Sequence, residues 1–319
     1  MRYRRRFTPT PYGLSLATWI ASIPLVLFGG SVTTLHAGMA ENGWINPDGY
    51  FLWAYPVDKR FANIGVFFEH HHREFGSLVG MLAIAAAIAA WKMESRALAR
   101  KLPAFALLAV CVQGLIGGLR VLENSPDLAF LHGVLAQAVF TFLAATALYL
   151  SPRWRGVTPS ACKTAARLQR TTSVGVGLVF TQVFIGAWFR HSRADIALAL
   201  HVILAVGVLA AVVAMARQLG AAVEQGTRGG SDRSVLLGVK RRLHSLVGVQ
   251  VLLGAIAYFY VSEASAPQAQ VSMGEAIFAT AHVAVGALLL AQTVAAAMWA
   301  RRVVCTQEAS AALSLEAAR

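Results

Sequence analysis

Eight blocks of apolar residues, at approximately 14–35, 72–91, 103–122, 130–150, 171–190, 196–216, 243–261 and 276–300, dominate this chain. Each approaches the roughly 20 apolar residues that carry an α-helix across the hydrocarbon core of a bilayer. There a helix satisfies its own backbone hydrogen bonds, which lipid cannot do. Of 319 residues, 57% are hydrophobic and only 13% charged, too few charges to coat a soluble protein of this length. The blocks therefore predict an all-α, polytopic membrane protein with eight transmembrane helices. In a soluble chain a net charge of +13 would suggest nucleic acid. Here the basic residues lie between the apolar blocks, where topology accounts for them. Lipid is the expected environment, and no nucleic-acid partner is expected.

The basic start, Met1-Arg2-Tyr3-Arg4-Arg5-Arg6, followed by the apolar stretch from Leu14 to Gly30, resembles a signal peptide, with Leu35-His36-Ala37 as a weak cleavage cue. The apolar stretch is long for a signal and seven more blocks follow, so it reads as the first span. Segments 1–13, 92–102, 151–170, 217–242 and 301–319 together hold 22 of the 28 lysines and arginines. The alternate segments 36–71, 120–129, 190–195 and 262–275 hold 5. This asymmetry predicts both termini in the cytoplasm, so that even-numbered spans enter from the outer side.

A repeat runs through the spans. Gln113-Gly-Leu-Ile-Gly117, Gln182-Val-Phe-Ile-Gly186 and Gln250-Val-Leu-Leu-Gly254 lie in spans 3, 5 and 7. Each is followed by a histidine in the next span: His132, His201 and His282. Glutamine and histidine are 19 residues apart in the first two cases and 32 in the third. Span 1 carries a degenerate copy, Leu25-Val-Leu-Phe-Gly29, followed by His72 in span 2. The repetition predicts two pseudo-symmetric four-helix bundles, 1–150 and 171–300, joined by a cytoplasmic linker at 151–170 and followed by a tail at 301–319. The Gln-x-x-x-Gly units read as close helix packing with a polar cross-link.

His72, His132, His201 and His282 thus lie one per even-numbered span, each in its outer part. Imidazoles projecting inward from facing helices are how bundles hold metals and cofactors, and two of them on two helices suit the two faces of a haem iron. Small residues one turn deeper, Gly76, Ala136, Ala205 and Gly286, leave room for a large flat group. Glu69 and His72 share a helix face at i, i+3. An intramembrane carboxylate beside a ligand suggests proton handling; a helix-start acid, or an ion pair with Arg73, is the plainer alternative. Arg73, Arg120, Arg190 and Arg193 suit haem propionates. His36, His70, His71, His191 and His244 read as interfacial, with His70 and His71 facing outer solvent or loop. The segment from Ala37 to Gly65, with Trp44, Tyr50, Phe51, Trp53 and Tyr55, reads equally as a cover over a site or as an aromatic interfacial belt. Cys111, Cys162 and Cys305 form no CxxC pair and read as ordinary thiols.

At these residues the chain resembles the haem A synthase family. Glu69, His72 and Arg73 match its Glu-x-x-His-Arg motif. His132, His201 and His282 match its histidines on helices 4, 6 and 8, and Gly186-Ala187-Trp188-Phe189-Arg190-His191 matches a stretch ending helix 5. The resemblance covers all eight spans. It implies an oxidoreductase of the bacterial-type plasma membrane that oxidises the C8 methyl of haem O to a formyl group, making haem A for cytochrome oxidase. It implies haem b as cofactor, on His201 and His282, and a substrate haem near His72, His132 and Glu69. Haem O synthase and an electron donor are candidate partners, and a homo-oligomer is a candidate assembly. Two positions depart from the pattern: no outer loop holds a cysteine, and Val202 stands where many members carry arginine. The same histidines also suit a di-haem cytochrome b linked to a quinol, or a non-enzymatic haem transporter or chaperone.

Overall fold

Pro11 follows Thr10, whose hydroxyl accepts from the Gly13 N–H at 3.0 Å, and the first helix, α1 (Pro11–Thr34), begins there. The computed structural model describes residues 10–157, 159–225, 230–263 and 271–305. The basic stretch Met1–Arg6 and residues 306–319 of the tail lie outside them, as do 264–270 of the loop before the eighth span. After α1 the described residues form α2 (Val57–Arg60), α3 (Ile64–Met93), α4 (Ala97–Leu122), α5 (Pro126–Leu150), α6 (Pro152–Gly156), α7 (Ala165–Ser192), α8 (Asp195–Gln225), α9 (Gly230–Glu263) and α10 (Met273–Val303). Two dipeptides, β1 (Ser160–Ala161) and β2 (Val304–Cys305), pair in parallel.

Eight of these helices are long and apolar enough to span a membrane: α1, α3, α4, α5, α7, α8, α9 and α10. The chain is an integral membrane protein of the all-α class. Every span extends past its apolar block at one end or both, and side-chain caps close some of these polar turns. Asn63 accepts from the Val66 N–H at 2.9 Å, so α3 begins eight residues before the apolar block at 72 and takes in Glu69 to His71. Ser272 accepts from the Glu275 N–H at 3.0 Å, a Ser-x-x-Glu start for α10. At the far end of α7 the chain turns at Arg193, which adopts a left-handed φ of 55°.

The chain forms two compact units. The first comprises residues up to Ser125 with Phe142–Ser151, and the second Pro126–Thr141 with everything from Pro152 on. In the first unit α3 packs against both α1 and α4. The buried faces are small, with Ala83, Ala86 and Ala90 of α3 and Ala99 and Ala106 of α4 almost fully covered, so that backbones approach closely. In the second unit α10 lies against α7 and α9 and is the most buried of the eight spans. Ile203, Val206 and Leu252 are exposed, as side chains meant for lipid tails must be.

Candidate functional site

In the first unit the segment from Leu35 to Asn63 folds back over the start of α3 and is tied there by charge. Glu69, on the second turn of α3, is buried; its Oε2 accepts from the Ala40 N–H at 2.7 Å and the Glu41 N–H at 3.0 Å. Its Oε1 accepts from Arg73 Nη2 at 2.8 Å, the i, i+4 partner one turn on. The Nη1 of Arg73 donates to Gly43 O at 2.8 Å and Trp44 O at 2.9 Å. Arg120 on α4 donates to Gly38 O at 3.4 Å, and the Trp44 ring lies directly on Gly118, a close approach that a side chain there would block. Glu69 and Arg73 thus hold the segment through four backbone groups.

The segment's aromatic residues divide. Trp44 turns inward, and Tyr55 is buried with its ring 4.5 Å from that of His70. Tyr50, Phe51 and Trp53 face outward and are exposed. His70 is wholly buried rather than turned to solvent, and its Nδ1 lies 2.7 Å from Glu41 Oε1. Its Nε2 lies 3.4 Å from Glu74 Oε1, which Arg60 Nη1 approaches at 3.1 Å. Glu41 Oε2 faces Arg73 Nε at 3.2 Å. His71 packs on Phe28, ring to ring at 5.4 Å. Sequence reasoning missed Glu41, which stands 29 positions before its histidine partner with no pattern linking them.

Burial pushes the Glu41 carboxyl up to about 7; Arg73 draws it down, and Glu69, Asp48 and Glu74 push it further up. Asp48 is held below its ordinary value by the Tyr55 hydroxyl, which donates to it at 2.7 Å, and by Asn42. Burial and that same carboxylate raise the Tyr55 phenol. For Glu41 the sign follows from linkage: between 4.5 and about 7 the folded protein holds a proton that the unfolded chain has released. Stability therefore falls as pH rises through that window, by at most about 3 kcal/mol at ~1.4 kcal/mol per unit. In detergent, the apparent unfolding temperature of the wild type is expected to drop across this window relative to Glu41→Gln. Parallel curves for the two proteins would refute it.

A second pattern recurs in both units. His72 places Nδ1 3.1 Å from Leu25 O, and its ring rests on Gly29 of α1, where a Cβ would stand 2.7 Å from Cε1. The His201 ring rests on Gly186 of α7, at 2.7 Å from such a Cβ, and His282 on Gly254 of α9, at 2.9 Å. His201 lies beside the backbone of Gln182, and His282 beside that of Gln250. In these three units the glycine is thus the seat of the histidine that follows it. The glutamines supply the expected cross-links: Gln182 Nε2 donates to His201 O at 2.8 Å, and Gln250 Nε2 lies 3.2 Å from His282 Nε2. Gly286 takes up this glutamine amide rather than leaving room. One turn beyond His72, by contrast, a Cβ on Gly76 would meet Leu25 Cδ1 only at 3.9 Å, an ordinary contact, so room is left there.

His201 and His282 come together in the second unit, their ring centroids 6.1 Å apart and their planes at 74°. Two imidazoles on opposite sides of one metal, with nitrogen–metal bonds of about 2 Å, have centroids about 6 Å apart. Nδ1 of each is buried without a hydrogen bond of full geometry, and the Gln182 and Gln250 backbones lie beside the two rings. The facing rings and the glycine seats fit a haem iron held between the two helices. Arg190 and Arg193 end α7 in the same unit, with Arg193 Nη2 3.7 Å from Glu275 Oε1. His132 lies in the part of α5 that belongs to this unit, where the neighbouring Gly133 approaches His191 Nε2. No cluster of three or more His, Cys, Asp or Glu able to hold a bare metal ion occurs among the described residues.

The structure is that of an eight-span helical membrane protein in which two imidazoles face one another in the second unit. Residues 52–298 match the COX15-CtaA family of cytochrome oxidase assembly proteins, and the chain belongs to that family, the haem A synthase family. Its place is accordingly in cytochrome oxidase assembly and haem A biosynthesis. No curated protein and no solved structure matches the chain.

Proposed function

We propose that the protein is a haem A synthase, converting the C8 methyl of haem O to the formyl group of haem A. The observation that carries this reading is the His201–His282 pair, 6.1 Å between centroids on two glycine seats, in a chain of this family. His201 and His282 would hold haem b, which supplies the electron-transfer chemistry when bound. His72 and His132 are assigned to the substrate haem, with the N-terminal half, 1–150, as its receiving part and 171–300 as the haem b half. In this assignment 151–170 is a cytoplasmic linker, 301–319 a cytoplasmic tail, and the histidines lie toward the outer side of a bacterial plasma membrane. Haem O synthase and an electron donor are the expected partners.

The chain's own groups have separable tasks. The glycine seats fix the imidazole planes, the apolar helix faces exclude water, and Arg190 and Arg193 offer guanidinium forks to carboxylates. Arg73 and Glu69 hold the covering segment and so decide what reaches His72. Oxidising a methyl releases protons, and Glu69 is the carboxylate assigned to help handle them.

Acid-acetone extraction and mass analysis of haems after co-expression with a haem O supply tests this reading. Wild type is expected to yield haem A. His72→Ala should keep haem b and make no haem A, and His282→Ala should lose haem b. Haem b alone in every sample would replace the reading with a di-haem electron carrier.

A further inference from the structure

A hydroxyl buried between membrane helices carries a desolvation cost unless something bonds it. Ser15 and Thr18 on α1 and Thr146 on α5 are such hydroxyls, their residues 4%, 1% and 2% exposed. All three line one small cavity in the first unit, at the end where α1 begins and α5 closes. The other lining side chains are apolar, Ala83 and Ala86 of α3 and Ala106 of α4 among them. The cavity leaves about 10 Å³ for the centre of a water molecule, the space that a single water needs. Thr18 Oγ1 donates to Leu14 O at 2.8 Å and keeps an acceptor lone pair. Ser15 Oγ and Thr146 Oγ1 meet no hydrogen-bond partner, neither on their own helices nor on one another.

We propose that this cavity binds one water molecule, which cross-links α1 to α5 through Ser15, Thr18 and Thr146. The hydroxyls select the occupant. Ser15 and Thr146 each have a proton to give and lone pairs to fill, whereas Thr18 has only a lone pair left. The occupant must therefore donate and accept at once, within the volume of a single water. Buried waters typically make about three hydrogen bonds, which is the number of hydroxyls on offer here. An apolar occupant, or none, would leave both orphaned hydroxyls unbonded. A bare cation is disfavoured as well. No carboxylate lines the cavity, and three hydroxyls fall short of the roughly six oxygens that a hard cation gathers. The cross-link has a place in the fold. Ser15, Thr18 and Ser22 are buried along one face of α1 at i, i+3 and i+7. Leu25 and Gly29, which meet the His72 ring, continue that face. A water held from α5 thus fixes the rotation of α1 about its axis at the end opposite that ring.

Thermal unfolding of the purified full chain in detergent tests the site, because the sign of the effect depends on the water. Thr146→Val exchanges the hydroxyl for a methyl of the same shape. With the water bound, the exchange removes one of its three partners, and the apparent unfolding temperature should fall by about 2–4 °C. Without it, the exchange removes an unbonded buried hydroxyl, and the temperature would hold or rise. Ser15→Ala should also lower it, against the better helix propensity of alanine. In the double variant the fall should be smaller than the two single falls added together, since one water serves both hydroxyls. A temperature that holds or rises in Thr146→Val, or falls that simply add, overturns the proposal. A high-resolution structure of the wild-type chain should show an ordered water within hydrogen-bond distance of Ser15, Thr18 and Thr146. A cavity without one overturns the proposal with no variant needing to fold. The water does not rest on the haem A synthase reading, whose failure would appear in the haem extraction and leave these measurements unchanged.

Discussion

Arg73→Ala is expected to destabilise the first unit by about 3–5 kcal/mol, the cost of leaving buried charges without their partner, and to release the segment from Leu35 to Asn63. The guanidinium makes four contacts that alanine cannot replace: Gly43 O, Trp44 O, Glu69 and Glu41. Its loss leaves two neighbouring carboxylates buried without their shared counter-charge. Thermal unfolding in detergent reads the stability, and limited proteolysis within residues 37–62 reads the release. Arg73→Lys keeps the charge but loses the planar fork that reaches two carbonyls and two carboxylates together. It should recover only part of the difference. Unchanged unfolding temperature and unchanged protection in Arg73→Ala would show that the segment is held by its apolar contacts instead.

The second large effect concerns glycines. Gly186→Ala and Gly254→Ala each place a methyl 2.7 or 2.9 Å from Cε1 of a candidate haem ligand. Overpacking of this kind costs about 1–3 kcal/mol, so the imidazole is pushed from its seat and haem b retention should fall by about tenfold or more. Two other glycines on the same helices, Gly177 on α7 and Gly248 on α9, have open space around them. Alanine there should leave haem content unchanged and favour the helix by up to about 1 kcal/mol. Haem per protein, measured from the pyridine haemochrome of each purified variant, separates the two classes. Equal loss at all four positions would mean that general helix packing, and not the imidazole seat, governs retention.

Much of the architecture was legible because hydropathy is a local sum. The eight spans follow from apolar runs, whichever helix each run meets. The ends were less legible. Lys240, Arg241 and Arg242 fall outside the block at 243–261, yet they lie inside α9, since polar residues at a membrane edge remain good helix formers. The repeat revealed the histidines and glutamines, but it presented each glycine as a packing residue. That the glycine carries an imidazole depends on the rotation of two helices about their axes, which no spacing along one chain encodes.

By itself, the sequence determined that the protein spans a membrane eight times, that it presents one candidate ligand on every second span, and that Glu69, His72 and Arg73 enter one helix together. Only the tertiary structure decided what those residues do beside one another. It turned Glu69 and Arg73 into the tether of a covering segment and brought Glu41 onto His70 from 29 residues away. It also set His201 6.1 Å from His282. The physical reason is that apolar transfer and helix propensity are properties of a residue and its near neighbours. Whether a carboxylate keeps its charge, and whether two imidazoles face one another, depends on which distant backbone and side-chain groups the fold brings against them.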